Sequence, residues 1–143
     1  MRHGLPIAEN LKQRLQGYVF SRPFMGERVP QHVQNLVIRD YCERSSFHYL
    51  LSAAEYAMEN CHLMLKQVLD DLVEIDGIVA YSLFQLPVDN EERERVYSMI
   101  LKPNKSMHFA VEGLKMSTSA EKDTIENFWR IRKTLSLCPQ TIA

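Results

Sequence analysis

Residues 76–87, DGIVAYSLFQLP, decide the fold expected of this 143-residue chain. Asp76 and Gly77 predict a turn, and residues 78–81 form a short apolar run without polar alternation. Such a run is typical of a strand that is covered on both faces, as in a parallel sheet. The chain turns polar at Ser82 and Gln85, so this strand is expected to end at a polar edge.

Three more strands and four helices are predicted around this segment. Residues 17–20, 47–54 and 107–111 have strand-like composition. Apolar residues at helical spacing predict helices over residues 30–44, 61–72 and 89–102, and a last helix from residue 118. Asp89 with Glu92, and Thr118 with Glu121, match helix-capping patterns.

Strands that alternate with helices predict right-handed crossovers and a mostly parallel sheet. We therefore expect one α/β domain over residues 17–143, a three-layer sandwich around a mostly parallel four-stranded sheet. Residues 1–16 are interpreted as a peripheral N-terminal arm, in which residues 7–15 could form a short helix.

Composition narrows the class of protein. A formal net charge of −1 gives no reason to expect a nucleic-acid partner. The apolar runs are too short to span a bilayer, and the N-terminus does not look like a secretory signal, so a cytoplasmic protein without membrane contact is expected. Cys42, Cys61 and Cys138 are interpreted as reduced thiols. No metal site or cofactor is predicted, and the usual glycine-rich nucleotide loops are absent.

The candidate site lies at the carboxyl edge of the sheet. In open parallel sheets, ligands bind beyond the carboxyl ends of the strands. Polar residues that follow the four predicted strands are expected to meet there, although they are far apart in sequence. They are Ser21, Arg22, Glu55, Tyr56, Ser82, Gln85 and Glu112.

Two arginines near this edge suit an anionic ligand. Arg22 and Arg28 could bind a phosphate or carboxylate bidentately, and His32 could contact the same ligand. The alternative is that both arginines pair with neighbouring glutamates. His48 and His108 lie inside predicted strands and are interpreted as structural residues.

Catalytic roles are predicted for three residues. Glu55 or Glu112 could act as a general base if burial raises its pKa. Ser21 could be a nucleophile, but a serine needs an activating base and no histidine is placed at a strand end.

The segments 17–21, 78–86 and 109–114 resemble the catalytic domain of serine resolvases and invertases. The resemblance implies a flavodoxin-like strand order 2-1-3-4 and an extra C-terminal helix that builds a dimer interface. It places Ser21 near the family's nucleophile. The family's arginine before the nucleophile is replaced by Val19 and Phe20, and its later arginines fall at residues 83–88 of this chain, which contain none. An active DNA recombinase is therefore not expected.

A second resemblance, over nearly the whole chain, is to the sporadic carbohydrate cluster family. It rests on residues 17–35, 55–60, 76–87 and 108–114. That family implies bacterial origin and a gene neighbourhood devoted to surface-carbohydrate biosynthesis, without an established reaction.

Three functions follow from these observations. The leading hypothesis is a protein of surface-carbohydrate (polysaccharide or lipopolysaccharide) biosynthesis that binds or acts on a small anionic, sugar-like or phosphorylated ligand. Its ligand contacts would include Ser21, Arg22, Arg28, Gln31, His32, Gln34, Tyr56, Asn60, Ser82 and Gln85. The second is a non-enzymatic scaffold or regulatory subunit, a homodimer through Phe128 and Trp129 of the last helix, with the alternative that both side chains pack on the sheet. The third is residual phosphodiester chemistry at Ser21.

Overall fold

The computed structural model describes residues 12–137. They form five strands and four α-helices. In chain order these are β1 (Arg14–Phe20), α1 (Gln31–Arg44), β2 (His48–Glu55), α2 (Leu63–Asp70), β3 (Gly77–Ala80), α3 (Asn90–Leu101), β4 (Ser106–Phe109), β5 (Leu114–Met116) and α4 (Ser119–Leu137). Short 3-10 turns at Leu72–Glu74 and Leu83–Gln85 flank β3.

The strands form one mixed sheet in the order β2-β1-β3-β4-β5. The first four are mutually parallel, and β5 runs antiparallel to β4. The prediction of a four-stranded sheet therefore missed one edge strand, the antiparallel β5. The chain reverses after β4 at Gly113, which has a φ of 66° and donates its N–H to the carbonyl of Phe109. Three residues give too short a pattern to reveal β5 in the sequence.

β3 is covered on both faces, as its apolar sequence predicted. Ile78 and Ala80 pack into the core on one side, and Val79 packs into the core on the other. Gly77 opens the strand where the carbonyl oxygen of Ser106 on β4 approaches closely, and a methyl group at position 77 would collide with that oxygen. The central strand is therefore fixed by close backbone contact as well as by burial.

Helices cover both faces of the sheet, which gives three layers. On one face α1 contributes Ile38 and Tyr41 to a core shared with Leu15 and Val19 of β1. On the other face α2, α3 and α4 supply the larger core. Its helical members include Leu65, Val68, Leu69, Val96, Tyr97, Ile100 and Ile125.

Several strand and helix boundaries differ from those predicted from the sequence. β1 begins at Arg14, and Leu15 is completely buried, so residues 14 and 15 at the end of the predicted arm belong to the central sheet. Residues 1–11 of that arm lie outside the described residues. The helix predicted over residues 61–72 is observed as α2, which is shorter (Leu63–Asp70) and is followed by the 3-10 turn Leu72–Glu74.

Both predicted caps are present. The carboxylate of Asp89 accepts the N–H of Glu92 at 2.9 Å, and the hydroxyl of Thr118 accepts the N–H of Glu121 at 3.2 Å. Among residues 12–137, no helix has both the length and the apolar character needed to cross a bilayer.

Candidate functional site

The carboxyl ends of four strands lie along one edge of the sheet, because β1 to β4 are parallel. The residues singled out from the sequence do follow these ends. Many of them, however, turn inward and hydrogen-bond to the protein itself. Only Arg22 and Asn60 of the predicted site residues line the main cavity at this edge.

Glu55 is a structural carboxylate. It is 1% exposed and accepts hydrogen bonds from the Tyr18 hydroxyl and from the N–H groups of Tyr56, Met64 and Leu65. Burial acts to raise the pKa of Glu55, but these hydrogen bonds outweigh it and the pKa is lowered. The condition for a general base, a pKa raised by burial, is therefore not met.

Ser21 is engaged with the main chain. Its hydroxyl donates to the backbone carbonyl oxygen of Glu55, in β2, at 2.5 Å. The hydroxyl proton is therefore directed at the main chain and not at an activating base. This geometry connects the ends of β1 and β2. It does not prepare Ser21 to attack a substrate.

Ser82 and Glu112 stabilise the turn after β3. The Ser82 hydroxyl donates to Oε2 of Glu112 at 2.7 Å, and Oε1 of Glu112 accepts the N–H of Leu83 at 3.0 Å. Both residues are where the sequence placed them, but their polar atoms are used to hold the Leu83–Gln85 turn. Neither lines the cavity.

Gln34 and Gln85 are buried amides and not exposed ligand contacts. Gln34 pairs with both backbone groups of Phe20 and also donates to the carbonyl of Val29. Gln85 donates to the Gln34 side-chain oxygen at 2.9 Å. Together they connect α1 to the ends of β1 and β3.

Four other predicted contacts are exposed to solvent and do not line the cavity. They are Arg28, Gln31, His32 and Tyr56. The alternative that Arg22 and Arg28 pair with glutamates is also wrong within residues 12–137, because neither arginine makes an ion pair there. Cys42 and Cys61 are free thiols, and Cys138 lies outside the described residues. No three metal-ligating side chains converge in the described chain.

A cavity of about 710 Å³ opens beside this edge, between the loop after β1, the segment before α2, the segment between β3 and α3, and α4. The loop after β1 is shaped by a tight turn in which Phe24 and Glu27 exchange backbone hydrogen bonds. Aromatic and cationic side chains dominate the lining. They are Phe20, Phe24, Phe84, Trp129, Arg22, Arg93, Arg130, Arg132 and Lys133.

Arg22 forms the inner wall of the cavity. It is 8% exposed, its Nη1 donates to the carbonyl oxygens of Tyr56 and Cys61, and its guanidinium lies 4.1 Å from the Phe20 ring centroid. No carboxylate within residues 12–137 lies at ion-pair distance. A buried charge that lacks an ion-pair partner is unfavourable, so this guanidinium is suited to an anion.

α4 supplies the opposite wall. Its Trp129 meets Phe84 edge-on at 5.2 Å and lies beneath the guanidinium of Arg93, 4.5 Å from the ring centroid. The charge of Arg93 is compensated by Glu126, which accepts from its Nε at 2.7 Å. Arg132 lies 5.8 Å from the Phe84 ring centroid and makes no ion pair in the described chain.

His62 borders the same cavity. Its Nε2 lies 3.2 Å from the carbonyl oxygen of Gln85, while its Nδ1 is buried without a hydrogen-bond partner among the described residues. Burial lowers the pKa of His62, and the positive charge of Arg22 lowers it further. The imidazole is therefore neutral near pH 7.

The aromatic wall was not predicted from the sequence. Trp129 was expected either to take part in a dimer contact or to pack within the chain, and it packs on Phe84 and Arg93. Phe128, its neighbour, is 38% exposed. Three basic residues follow Trp129 closely, namely Arg130, Arg132 and Lys133, and they were the signal that could have indicated an anion-binding helix.

Comparison with known proteins establishes the fold. No protein-family model and no curated protein matches the chain, so the sporadic carbohydrate cluster resemblance stays a prediction. Among solved structures, the N-terminal catalytic domain of TP901-1 integrase is similar, with a TM-score of 0.53 and 12% sequence identity over 85% of this chain and 96% of that domain. At this identity the likeness concerns the fold alone, and the chain has a resolvase-like α/β fold.

Proposed function

We propose that this protein binds a small anionic, sugar-like or phosphorylated ligand in the cavity between the end of β1 and α4. The observation that carries the proposal is the guanidinium of Arg22, which is buried and lines this cavity. It has no carboxylate partner within residues 12–137. Charge-assisted hydrogen bonds to such a group are stronger than neutral ones, particularly away from water.

The remaining lining supports an anionic ligand. Counting Arg22, five arginine and lysine side chains border the cavity against two glutamates, Glu59 and Glu126. One glutamate, Glu126, is already paired with Arg93. The side-chain amide of Asn60 and the amide NH2 group of Asn90 can hydrogen-bond to hydroxyl groups, since Oδ1 of Asn90 already accepts from Arg93. The partly exposed aromatic rings offer flat apolar surfaces to a sugar ring.

The biological setting is inferred from the resemblance to the sporadic carbohydrate cluster family. A phosphorylated or nucleotide-linked sugar is the type of ligand that surface-carbohydrate biosynthesis in a bacterial cytoplasm would supply. Binding is the function that the side chains support best. Glu55, Glu112 and Ser21 all use their polar groups to stabilise the fold, so we assign no reaction to them.

DNA recombination is not part of the proposal, although the fold resembles the catalytic domain of TP901-1 integrase. The Ser21 hydroxyl donates to a backbone carbonyl, and the positions expected to carry arginines after β3 hold the buried Leu83 and Leu86. The guanidinium of Arg22, next to Ser21 in the chain, donates to the carbonyls of Tyr56 and Cys61. Because residues 83–88 contain no arginine, a phosphodiester under attack at Ser21 would lack the further positive charges that stabilise it.

Isothermal titration with inorganic pyrophosphate, glucose 1-phosphate and a nucleotide sugar tests the proposal. Arg132→Ala and Arg22→Ala should each weaken binding at least about tenfold, the usual scale for losing one charge-assisted hydrogen bond. Arg44→Ala is the matched control, because Arg44 is exposed on α1 and pairs with Asp40 on the other face of the sheet. Absence of binding by all three ligands, or equal affinity of wild type and both cavity variants, would contradict the proposal.

The second candidate function is a dimeric scaffold or regulatory subunit for enzymes of the same pathway. Phe128, Ile131 and Leu135 favour it, since they are spaced at three and four residues on α4 and are 38%, 56% and 62% exposed. Trp129 is not part of this apolar stripe, because it packs within the chain. The oligomeric state separates this alternative from ligand binding by a monomer.

A further inference from the structure

We infer that the ligand of the cavity is a nucleoside diphosphate, free or linked to a sugar, and not a simple sugar phosphate. The claim narrows the binding function proposed above and depends on it. It comes from how aromatic rings and unpaired guanidinium groups are arranged around the cavity.

Two aromatic pairs border the cavity from different elements. Phe84 and Trp129 meet at 5.2 Å with an interplanar angle of 65°, and Phe20 and Phe24 meet at 5.6 Å with an angle of 82°. Edge-to-face packing holds these rings in place. Phe20 itself is 4% exposed, so the ring surface within reach of a ligand belongs to the partly buried Phe24, Phe84 and Trp129. Two such walls fit a ligand with a planar base better than a saturated sugar alone.

Each aromatic pair carries one guanidinium that lacks a carboxylate partner within residues 12–137. Arg22 lies 4.1 Å from the Phe20 ring centroid, and Arg132 lies 5.8 Å from that of Phe84. Positive charge is therefore available beside both rings. A nucleoside diphosphate combines the two required features, a flat ring and a chain of negative phosphoryl groups, in one molecule.

Trp129 provides a further, independent observation. Its indole Nε1 is buried and has no hydrogen-bond partner in the described part of the chain. Indole N–H groups that are buried usually donate to an acceptor. A carbonyl oxygen of a base or a phosphoryl oxygen would supply that acceptor once a side chain that covers the indole N–H moves aside, and because Arg93 covers one face of the Trp129 ring a base would stack on the neighbouring Phe84.

The size of the cavity agrees with a ligand of this length. About 710 Å³ lies within the range of roughly 300–1,000 Å³ that small-molecule sites occupy. The chain has no glycine-rich phosphate loop, so side chains and not backbone N–H groups would hold the phosphates. Single-stranded nucleic acid also uses rings and cations, but it requires an open basic groove, and this chain has a net charge of −1.

Trp129 makes the test direct, because it is the single tryptophan of the chain. Its fluorescence is recorded while uridine diphosphate, adenosine diphosphate, pyrophosphate or glucose 1-phosphate is added at constant ionic strength, and affinities are confirmed by calorimetry. We expect at least one nucleoside diphosphate to quench Trp129 and to bind at least tenfold tighter than pyrophosphate and glucose 1-phosphate.

Phe84→Leu removes the ring and keeps an apolar side chain. It should weaken nucleoside diphosphate binding at least fivefold while changing pyrophosphate affinity less than twofold. Phe128→Leu is the matched control on the outer side of α4, where the side chain does not line the cavity, and it should change neither affinity.

The outcomes separate the ligand class from the binding function. If pyrophosphate and glucose 1-phosphate bind as tightly as both nucleoside diphosphates, the ligand class is wrong and the anion site stands. If a short single-stranded oligonucleotide binds tighter than either nucleoside diphosphate, the ligand class is also wrong. If none of these anions binds, both proposals are overturned.

Discussion

The hydroxyl of Tyr18 in β1 donates to Oε1 of Glu55 in β2 across 2.8 Å, in the interior of the protein. The same carboxylate accepts the N–H groups of Met64 and Leu65 at the start of α2. One buried charge thus connects two strands and the first turn of a helix. Negative charge at a helix N-terminus is also favoured by the helix dipole.

Glu55→Gln should reduce the free energy of unfolding by about 2–3 kcal/mol at pH 7, because the amide has one acceptor oxygen where the carboxylate has two. The folded pKa of Glu55 is lowered. Its stabilising effect is therefore present above the unfolded pKa of about 4.3 and is lost as pH falls through the folded value. Urea unfolding at pH 7 and pH 3 measures this, and the difference between the two proteins should shrink at pH 3. Glu43→Gln, an exposed substitution on α1, is the control.

Gln34→Leu tests the buried amide network. The leucine would leave the N–H and carbonyl of Phe20 without partners and would also remove the acceptor of Gln85. Unpaired buried groups of this kind cost about 1–3 kcal/mol each, so a loss of about 3 kcal/mol is expected in denaturant unfolding. Gln31→Leu on the exposed side of the same helix should change stability by less than about 0.5 kcal/mol. Equal losses in both variants would contradict a structural role for Gln34.

The contrast between Gln31 and Gln34 illustrates what the sequence could predict. The Asp89 cap follows from a local pattern, and the buried run 78–81 correctly identified a central strand. In α1, however, Gln34 is buried and Leu36 is 60% exposed, so apolar spacing alone did not identify the buried side of that helix. Whether a polar side chain turns inward is a different question. It depends on unpaired backbone groups of distant segments, such as those of Phe20, that only the folded chain brings near.

The cavity was beyond sequence analysis for a related reason. Its walls come from four segments, and the decisive geometry is the packing of Trp129 against Phe84, 45 positions earlier in the numbering. An amphipathic pattern shows that α4 has an apolar side but not which element covers it. Arg22 was correctly placed at the edge because a strand end has a defined position in a parallel sheet.

His108 should make the fold sensitive to mild acid. It is 1% exposed, between the Tyr41 hydroxyl at 2.8 Å and the Ser106 hydroxyl at 3.0 Å. Burial lowers the pKa of His108 to about 4, and the charge of Lys115 adds to the effect, while Glu121 opposes it.

Because the folded pKa of His108 lies below the unfolded value of about 6.5, the unfolded chain binds the proton more readily. Stability is unaffected by this group above pH 6.5 and falls as pH decreases from 6.5 to 4. The total loss is about 3 kcal/mol at 1.4 kcal/mol per pKa unit. Thermal melts of wild type and His108→Gln between pH 7 and 4 measure it, and the variant should show the shallower decline. His48→Gln, at an exposed edge position, should follow the wild type.

Arg93 and Glu126 connect α3 to α4 at the wall of the cavity. Arg93 also donates to the carbonyls of Pro87 and Val88, so its guanidinium is fully used. Arg93→Met should cost about 3–5 kcal/mol, since it leaves the charge of Glu126 unpaired in a half-buried site. The double variant Arg93→Met with Glu126→Leu should recover part of that loss, because two apolar groups can replace a buried ion pair.

A surface pair provides the comparison for this experiment. Lys122 and Glu94 also join α4 to α3, at 2.6 Å, but they are more exposed. Lys122→Met should therefore cost less than about 1 kcal/mol in chemical denaturation. A Lys122→Met loss as large as that of Arg93→Met would show that burial does not set the strength of these contacts.

The apolar stripe on α4 predicts self-association. Phe128, Ile131 and Leu135 are exposed on one side of the helix. Single exposed apolar residues are common, but a contiguous set of large ones is typical of a protein–protein interface. If the scaffold function is correct, light scattering should give a dimer for wild type and a monomer for Ile131→Glu. Asn127→Glu adds the same charge at an exposed polar position of α4 and should stay dimeric. A wild-type monomer at the highest soluble concentration would rule out the dimeric scaffold. It would not affect the proposal of ligand binding at Arg22, because the three residues of the stripe do not line the cavity.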